Sequence, residues 1–318
     1  MSPENTFVPD GCFRWLRPAV SILIGSRRLI ATAHPSTGDT RMTTYDEWTA
    51  AMDSATVPVD DHDLEMAYRD EGTGDPVVLC HGIPTNSYLF SGQFDALADE
   101  RRVVAADMVG YGQSAMHDGF DRSIRAQELA IRWLIDELGL GTVDFIGHDL
   151  GGGVGLRLAA RSPGAVNRLV LSNSVAYDSW PIETITDLGL PGTARETSAE
   201  ELQAMLDGLF RDTLHGEDHD EAFLEAMKAP WNSEAGVTSV VRNASATNTS
   251  HTTEVDPTDV TAETLLLWGT EDEFQPMQWA ERLKGDIASC ELVGLEANHW
   301  VPEDRREAFR EHLLEFLA

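Results

Sequence analysis

The chain has 318 residues, of which 54 are acidic and 23 are basic, so its formal net charge at pH 7 is −31. A surface this negative repels nucleic acid and anionic membranes, which excludes both as expected partners. Lysine occurs only at Lys228 and Lys284, and an acidic surface so poor in lysine indicates the high-salt cytoplasm of a halophile, where ions screen self-repulsion.

The first 41 residues differ in composition from the rest, because they contain five arginines and only three acidic residues. The apolar run 19–24 is too short to span a bilayer. An arginine pair follows this run, whereas in a twin-arginine export signal the pair precedes it. We interpret 1–55 as an extension outside the core, with 1–41 the product of a start codon assigned too early and Met42 the true start. A surface anchor or a partner-binding arm is the alternative.

From residue 56 onwards, apolar runs alternate with amphipathic helical patterns. A helix is predicted over 123–138, where apolar residues recur at helical spacing before Gly139, a residue typical of helix C-caps. Strands that alternate with helices predict an α/β fold with a mostly parallel sheet. The strands are predicted at 64–69, 77–80, 102–107, 143–146, 166–173, 263–269 and 290–295.

The alternation stops between residues 178 and 255. A helix-start signature occurs at Ser198, and a second helix is predicted at 221–228. We interpret 178–255 as a helical cap inserted into a core that comprises 56–177 and 256–318. Such a cap closes a site, excludes water and lines the substrate pocket.

The segment Gly147-His148-Asp149-Leu150-Gly151 lies between an apolar strand and a glycine-rich helical run. Strand, sharp turn and helix form the context of a nucleophile elbow, in which small flanking residues let the central side chain enter the site. Asp149 stands where such elbows usually carry Ser. Its carboxylate is ionised at neutral pH and can attack carbon directly to give an ester. The alternative is an Asp that only caps the helix.

A nucleophile elbow of this kind is followed by an acid after a late strand and by a base after the last strand. Asp272 follows the penultimate predicted strand and is the predicted acid, with Glu271 or Glu273 as alternatives. His299 follows the last predicted strand and precedes an amphipathic helix at 304–314, which makes it the predicted base.

The loop after an early strand should supply an oxyanion hole. Residues 81–85 follow the strand at 77–80, and the backbone N–H of Ile83 is the predicted first donor. The N–H of Leu150, directly after the nucleophile, is the predicted second donor. We interpret His81 as a buried, hydrogen-bonded turn residue rather than as a catalytic group.

Three sequence blocks resemble those of known enzymes. Residues 81–90, His-Gly-Ile-Pro-Thr-Asn-Ser-Tyr-Leu-Phe, resemble the H-G-x-P-T-x-S-Y-L-aromatic block of haloalkane dehalogenases. Residues 107–114 resemble the D-x-x-G-x-G-x-S block of the α/β-hydrolase superfamily. The Gly-His-Asp elbow at 147–149 is similar to that of haloalkane dehalogenases, haloacid dehalogenases of this fold and epoxide hydrolases. The resemblance implies an α/β-hydrolase fold, with a mostly parallel eight-stranded sheet flanked by helices and an inserted helical cap.

The chain departs from the dehalogenase pattern at the halide donors. Leu150 stands where the family usually has Trp, and Ile83 where it often has Asn, and neither side chain donates a hydrogen bond. Donors from the cap are therefore expected to hold a leaving halide, and Trp180 and Trp231 are the candidates. Apolar packing is the alternative interpretation of both tryptophans.

Cap tyrosines usually assist ring opening in epoxide hydrolases. No tyrosine lies within the predicted cap at 178–255, and Tyr177, just before it, is the one nearby tyrosine that could donate. The lack of a tyrosine pair in the cap disfavours an ordinary epoxide hydrolase. Fluoroacetate-type enzymes have an Arg directly after the nucleophile, which binds the carboxylate of the substrate. Leu150 at this position has no charge, so a neutral, apolar substrate is expected. The apolar residues expected to line the pocket are Trp180, Leu206, Leu209, Phe210 and Trp231.

The resemblance implies a haloalkane dehalogenase. Asp149 displaces the halide and water activated by His299 hydrolyses the ester, so the expected partners are a small halogenated alkane and water. No cofactor or metal is expected, since Cys12, Cys80 and Cys290 lack metal-ligand spacing. The alternatives are an epoxide hydrolase or haloacid dehalogenase with the same nucleophile, or a non-catalytic protein of this fold that binds a small ligand.

Overall fold

A computed structural model describes residues 43–318, so the interpretation of 1–41 lies outside the described residues. Within residues 43–318, eight strands form one sheet in the spatial order 1-2-4-3-5-6-7-8. The strands are β1 (Asp53–Val59), β2 (His62–Gly72), β3 (Pro76–Cys80), β4 (Arg102–Ala106), β5 (Val143–His148), β6 (Val166–Ser172), β7 (Glu263–Gly269) and β8 (Cys290–Leu295).

The sheet is mixed, with its antiparallel pairs at one edge. Strand β2 pairs antiparallel with β1 and with β4, and all other neighbours pair parallel. Every residue of β5 is buried, which means that both faces of the sheet are covered there. The mostly parallel eight-stranded sheet is therefore confirmed. The carboxyl ends of the parallel strands meet at one edge, where sites of α/β proteins form.

Thirteen α-helices connect or cover these strands in the described part of the chain. The helices predicted at 123–138 and 221–228 correspond to the third and eighth. No helix among residues 43–318 combines the length and apolar character that a membrane span requires. The helices are α1 (Tyr45–Ala50), α2 (Ser91–Ala98), α3 (Ile124–Glu137), α4 (Leu150–Arg161), α5 (Glu183–Leu188), α6 (Thr193–Glu196), α7 (Ala199–Thr213), α8 (Glu221–Lys228), α9 (Glu234–Ser245), α10 (Ser250–Thr253), α11 (Met277–Asp286), α12 (Val301–Asp304) and α13 (Arg306–Leu317).

The folded core begins before the predicted boundary at residue 56. Trp48 of α1 is fully buried, and its indole N–H donates to Ser87 Oγ at 3.1 Å. Strand β1 pairs with β2 along its whole length. Residues 45–55 therefore belong to the core and not to an extension, because Trp48 and the backbone of β1 have their partners there.

Helices α5 to α10 form the cap between β6 and β7. Helix α7 begins after Ser198, whose hydroxyl accepts a hydrogen bond at the helix start as the sequence predicted. The cap also hydrogen-bonds to core loops. Trp231 Nε1 donates to the carbonyl oxygen of Pro84 at 2.8 Å, and Asn243 Nδ2 donates to that of Gly110 at 2.7 Å. These contacts hold the cap over the carboxyl edge of the sheet.

Arg157 of α4 is buried and links the core to the end of the cap. Its Nε donates to Glu128 Oε2 on α3 at 2.7 Å. Its Nη1 donates to Glu254 Oε1 at 2.6 Å and to the carbonyl oxygen of His251 at 2.5 Å. Arg157 is 1% exposed, so its removal would leave the buried Glu128 carboxylate with only the exposed Arg161, whose Nε lies 4.0 Å from Oε1.

We expect Arg157→Ala to lower the free energy of unfolding by about 3–5 kcal/mol, because the buried Glu128 carboxylate loses its hydrogen-bonded cation. Arg132→Ala is the matched control, since Arg132 makes an exposed pair with Asp136 at 3.2 Å. Loss of that pair costs about 0.5 kcal/mol. Urea unfolding at one salt concentration measures both variants, and equal losses would contradict the role assigned to Arg157.

Candidate active site

Asp149 lies at a sharp turn between β5 and α4. Its backbone has φ 51° and ψ −116°, a conformation that strains a non-glycine residue and persists only where the surrounding fold holds it. Close approach requires the flanking glycines: a Cβ on Gly151 would lie 2.0 Å from the carbonyl oxygen of Cys80, and one on Gly147 would lie 2.3 Å from that of Gly151. The turn has the tight geometry of a nucleophile elbow.

The Asp149 carboxylate is buried against two backbone N–H groups. Ile83 N donates to Oδ2 at 2.9 Å, and the N–H of Leu150 also lowers the pKa of the carboxyl group. Gly82 permits this approach, because a Cβ there would lie 2.3 Å from Oδ2. Burial raises the pKa of Asp149 to about 6, although His299 and the two N–H groups favour the charged form. At neutral pH the carboxylate is therefore mostly ionised.

His299 and Asp272 form a buried pair, and His299 shares a cavity with Asp149. His299 Nδ1 donates to Asp272 Oδ2 at 2.8 Å. Because an ionised carboxylate only accepts, Nδ1 carries the proton and Nε2 is left as the nitrogen that can accept one. Burial disfavours the charged form of both groups, but their mutual attraction and hydrogen bond outweigh it. The pKa of Asp272 is therefore lowered and that of His299 is raised.

Of the three acidic residues in this loop, only Asp272 contacts His299. Glu271 is exposed, and its carboxylate bonds His215 Nδ1 at 2.8 Å. Glu273 is exposed as well. The geometry therefore favours Asp272 over the two alternatives that the sequence left open.

Asn173, at the end of β6, supports the same carboxylate. Its Nδ2 donates to Asp272 Oδ2, and its Oδ1 accepts from Gly269 N at 3.0 Å. The residue has φ 42°, in the left-handed region that Asn tolerates better than most residues. Sequence analysis does not predict this contact, which joins the ends of neighbouring strands and depends on the sheet order.

Two further buried histidines adjoin these groups. His81 Nδ1 donates to the carbonyl oxygen of Gly82 at 2.8 Å, and its Nε2 accepts from Met108 N at 3.1 Å. Both nitrogens are thus engaged, as expected for a turn residue. The ring of His148 lies 4.9 Å from that of His299, and burial lowers the pKa of His148 well below its usual range. It therefore packs as a neutral ring.

The cavity beside Asp149 and His299 is small and mostly apolar. Its volume is about 10 Å³, close to what one water molecule needs. A substrate therefore enters only when side chains of the cap or of the loop after β7 move. The apolar lining comprises Ile83, Pro84, Ile182, Ile185, Leu209, Phe274 and Trp300.

Only one of the two predicted indole donors lines this cavity. Trp180 is buried in its wall, and its Nε1 has no hydrogen-bond partner among the described residues. Trp231 donates its N–H to Pro84 and packs its ring 5.9 Å from that of Tyr111. The prediction of Trp231 as a halide donor is therefore wrong, because a carbonyl oxygen already accepts its N–H.

Tyr177 and Phe210 do not line the cavity either. The Tyr177 hydroxyl donates to Asp286 Oδ2 at 2.6 Å, on α11. Phe210 is buried with its ring 5.3 Å from that of Trp300, whereas its neighbour Leu209, which was also predicted, lines the cavity. Both predictions are wrong. For Phe210 the reason is that successive helix residues differ by about 100° in direction.

The loop after β7 contributes two cavity residues that sequence analysis misses. Phe274 donates its backbone N–H to Asp272 Oδ1 at 2.7 Å, and its ring lies 5.4 Å from that of His299. Gln275 is buried, and its Oε1 has no partner among the described residues. No periodic pattern marks loop residues of this kind, so no signal in the sequence distinguishes them.

Residues 75–305 match the family of the α/β-hydrolase fold, and the chain belongs to this family. Haloalkane dehalogenase 2 of Mycobacterium bovis is 30% identical over 262 residues, which cover 78% of this chain and 90% of the relative. A 2-hydroxymuconate semialdehyde hydrolase of Pseudomonas putida is 32% identical over 280 residues, which cover 80% and 92%. The protein is therefore a hydrolase whose relatives act on different bonds.

A solved structure supports the same fold. The crystal structure of an α/β-hydrolase fold protein from Burkholderia ambifaria superimposes with a TM-score of 0.74 at 24% identity. The match covers 83% of this chain and 100% of that protein. Together with the strand order, this establishes the α/β-hydrolase fold.

We expect Asp149→Asn to raise the free energy of unfolding near neutral pH by up to about 3 kcal/mol. The pKa of Asp149 is about 6 when folded, against about 3.9 in an unfolded chain. Between these values the unfolded state binds fewer protons, so stability falls as pH rises. Below about pH 4 both states are protonated, and the gap should close. Urea unfolding at neutral pH and below about pH 4 measures the difference in free energy of unfolding between the variant and the parent. A difference that does not change with pH would contradict a desolvated carboxylate.

Proposed function

We propose that the protein is a haloalkane dehalogenase, which hydrolyses a carbon–halogen bond through a covalent ester on Asp149. The observation that carries the proposal is the Asp149 carboxylate, which is buried against the N–H groups of Ile83 and Leu150 and shares a cavity with His299. Such a carboxylate attacks a saturated carbon without a base to remove a proton. The 30% identical dehalogenase relative supports the same reaction.

In the first step a carboxylate oxygen of Asp149 attacks the carbon opposite the halogen. The new carbon–oxygen bond forms as the carbon–halogen bond breaks, and the halide leaves with the bonding electrons. Because the N–H of Ile83 holds Oδ2, Oδ1 is the attacking oxygen and Oδ2 becomes the ester carbonyl oxygen. This oxygen then already lies against the donors that stabilise it in the next step.

In the second step water attacks the ester carbonyl carbon and gives a proton to His299 Nε2. Asp272 keeps Nδ1 protonated and stabilises the resulting imidazolium. The negative charge develops on Oδ2, and the N–H groups of Ile83 and Leu150 stabilise it. Collapse releases the alcohol, which takes its proton from His299, and the carboxyl group loses the other proton to solvent. Each turnover therefore releases one halide ion and one proton.

Trp180 is the proposed donor to the leaving halide. It lines the cavity, and its N–H has no partner among the described residues, so an anion there would satisfy an otherwise unpaired donor. In this proposal Trp180 replaces the donors that Leu150 and Ile83 cannot supply from their side chains.

The alternatives lack comparable support. No tyrosine occurs among the described cavity-lining residues, and the Tyr177 hydroxyl is bonded to Asp286, which disfavours epoxide opening. A cleft that shares Thr184, Leu209 and Phe274 with the cavity carries carboxylates that repel an anionic haloacid. We name it the acidic cleft, after Asp212, Glu271 and Glu273.

We expect His299→Gln to trap the ester, because alkylation needs no base and hydrolysis does. Incubation with 1-bromobutane should add one butyl group, located on Asp149 by peptide mass spectrometry. Asp149→Asn is the control and should gain none. The parent enzyme should release bromide, detected by ion chromatography in concentrated KCl, the medium proposed for a chain of net charge −31.

Two further measurements, with an epoxide and with Asp149→Ala, would identify the alternatives. Glycol formation from an epoxide without any bromide release would favour an epoxide hydrolase. If the folded parent has no turnover and Asp149→Ala still binds the ligand, the protein is a non-catalytic binder.

We expect Trp180→Phe to lower kcat/KM for 1-bromobutane by about 10- to 100-fold, the effect of losing one hydrogen bond to a charged group. Bromide binding, followed by fluorescence quenching, should weaken in parallel. Trp279→Phe is the matched control, since Trp279 stacks on Tyr177 outside the cavity. Turnover by Trp180→Phe at the rate of the control would exclude Trp180 as the halide donor.

A further inference from the structure

Two cap helices line an open apolar groove on the surface of the protein. The groove has a volume of about 420 Å³, and α5 and α7 supply most of its wall. We name it the cap groove. Its apolar wall comprises Ile185, Leu188, Leu202, Met205, Leu206 and Leu209. Asp187 is the one charged residue among the described residues of its lining.

The cap groove adjoins the cavity that holds Asp149. Thr184, Ile185 and Leu209 line both spaces. The side chains of Ile185 and Leu209 therefore form a partition between the attacking carboxylate and the cap surface. A ligand whose reacting carbon lies at Asp149 can leave the cavity between these two apolar side chains, and Asp187 is the charged residue that it meets in the lining of the cap groove.

The volumes of the two spaces determine where a substrate can lie. The cavity has about 10 Å³ and the cap groove about 420 Å³. Even with some movement of the partition, the cavity accommodates the reacting carbon and little more. The acidic cleft also adjoins the cavity, but an alkyl chain there would remove water from carboxylates, which is unfavourable.

Met205 is the most exposed apolar residue of the cap groove, since it is 52% exposed. A methionine side chain is flexible and adapts to ligands of different shape. Its position beside the apolar wall therefore lets it pack against an apolar ligand in the groove.

We propose that the cap groove binds the alkyl tail of the substrate, so that the enzyme prefers haloalkanes with long chains to short ones. The inference rests on the proposed dehalogenase function and adds the substrate class. The reacting carbon lies at Asp149, the chain passes between Ile185 and Leu209, and the tail lies along α7 against Met205.

The proposal predicts how the reaction depends on chain length. A fully buried methylene contributes about fourfold to binding and a half-buried one about twofold. The kcat/KM for 1-bromooctane should therefore exceed that for 1-bromobutane by at least about tenfold. Met205→Glu should bring this ratio close to one, because a carboxylate in the groove opposes desolvation.

Leu129→Glu is the matched control. Leu129 is 61% exposed on α3, outside the groove lining, and the substitution makes the same change of charge. This variant should keep the chain-length ratio of the parent. Equal kcat/KM values of the parent enzyme for 1-bromooctane and 1-bromobutane would overturn the proposal, even if bromide is released.

Binding of unreactive alcohols separates this proposal from the dehalogenase reaction. In titration calorimetry 1-octanol should bind at least about tenfold more tightly than 1-butanol, and Met205→Glu should abolish the difference. This result would support the groove even if no bromoalkane reacts. Equal affinity for both alcohols would overturn it. A third result would also overturn it: the parent dimerises in sedimentation, Met205→Glu is monomeric, and 1-octanol does not bind. The cap groove would then be an interface between copies of this chain.

Discussion

The site depends on one carboxylate, that of Asp149, which remains ionisable although the fold removes almost all water around it. Burial alone would keep this group neutral. The N–H groups of Ile83 and Leu150 and the charge of His299 oppose that tendency. The balance leaves a pKa of about 6, so the carboxylate is charged at neutral pH and only weakly solvated. The glycines around the elbow are needed because the backbone must approach this carboxylate closely.

The cap and the reacting groups are joined by hydrogen bonds and do not form independent layers. The loop that carries Ile83 is bonded to the cap through the carbonyl oxygen of Pro84 and through Asn86, whose Nδ2 donates to a cap carbonyl. On the other side, Thr213 at the end of α7 accepts hydrogen bonds from His299 N at its carbonyl oxygen and from the Trp300 indole at its hydroxyl. A movement of the cap backbone would therefore affect both the loop of Ile83 and the backbone of His299.

Sequence patterns were informative wherever a residue follows a strand. Asp149, Asp272 and His299 each follow an apolar run, and parallel strands bring their carboxyl ends to one edge. Their assembly in space could therefore be anticipated from chain order, whereas the contact of Asn173 with Asp272 could not. The boundary at 56 was wrong because the partners of Trp48 lie far along the chain, and no local pattern reveals them.

By itself the sequence determined the mostly parallel sheet, apart from its edge strand β1, and the sharp turn that carries Asp149, because strand and helix periodicity and tight turns are local properties of the chain. Tertiary structure decided which cap side chains reach the carboxylate. Trp180 lines the cavity, and its N–H has no partner among the described residues. The N–H of Trp231 is instead bonded to the carbonyl oxygen of Pro84. Of the two neighbouring candidates Leu209 and Phe210, only Leu209 lines the cavity, because packing against residues distant in the chain fixes the rotation of the helix.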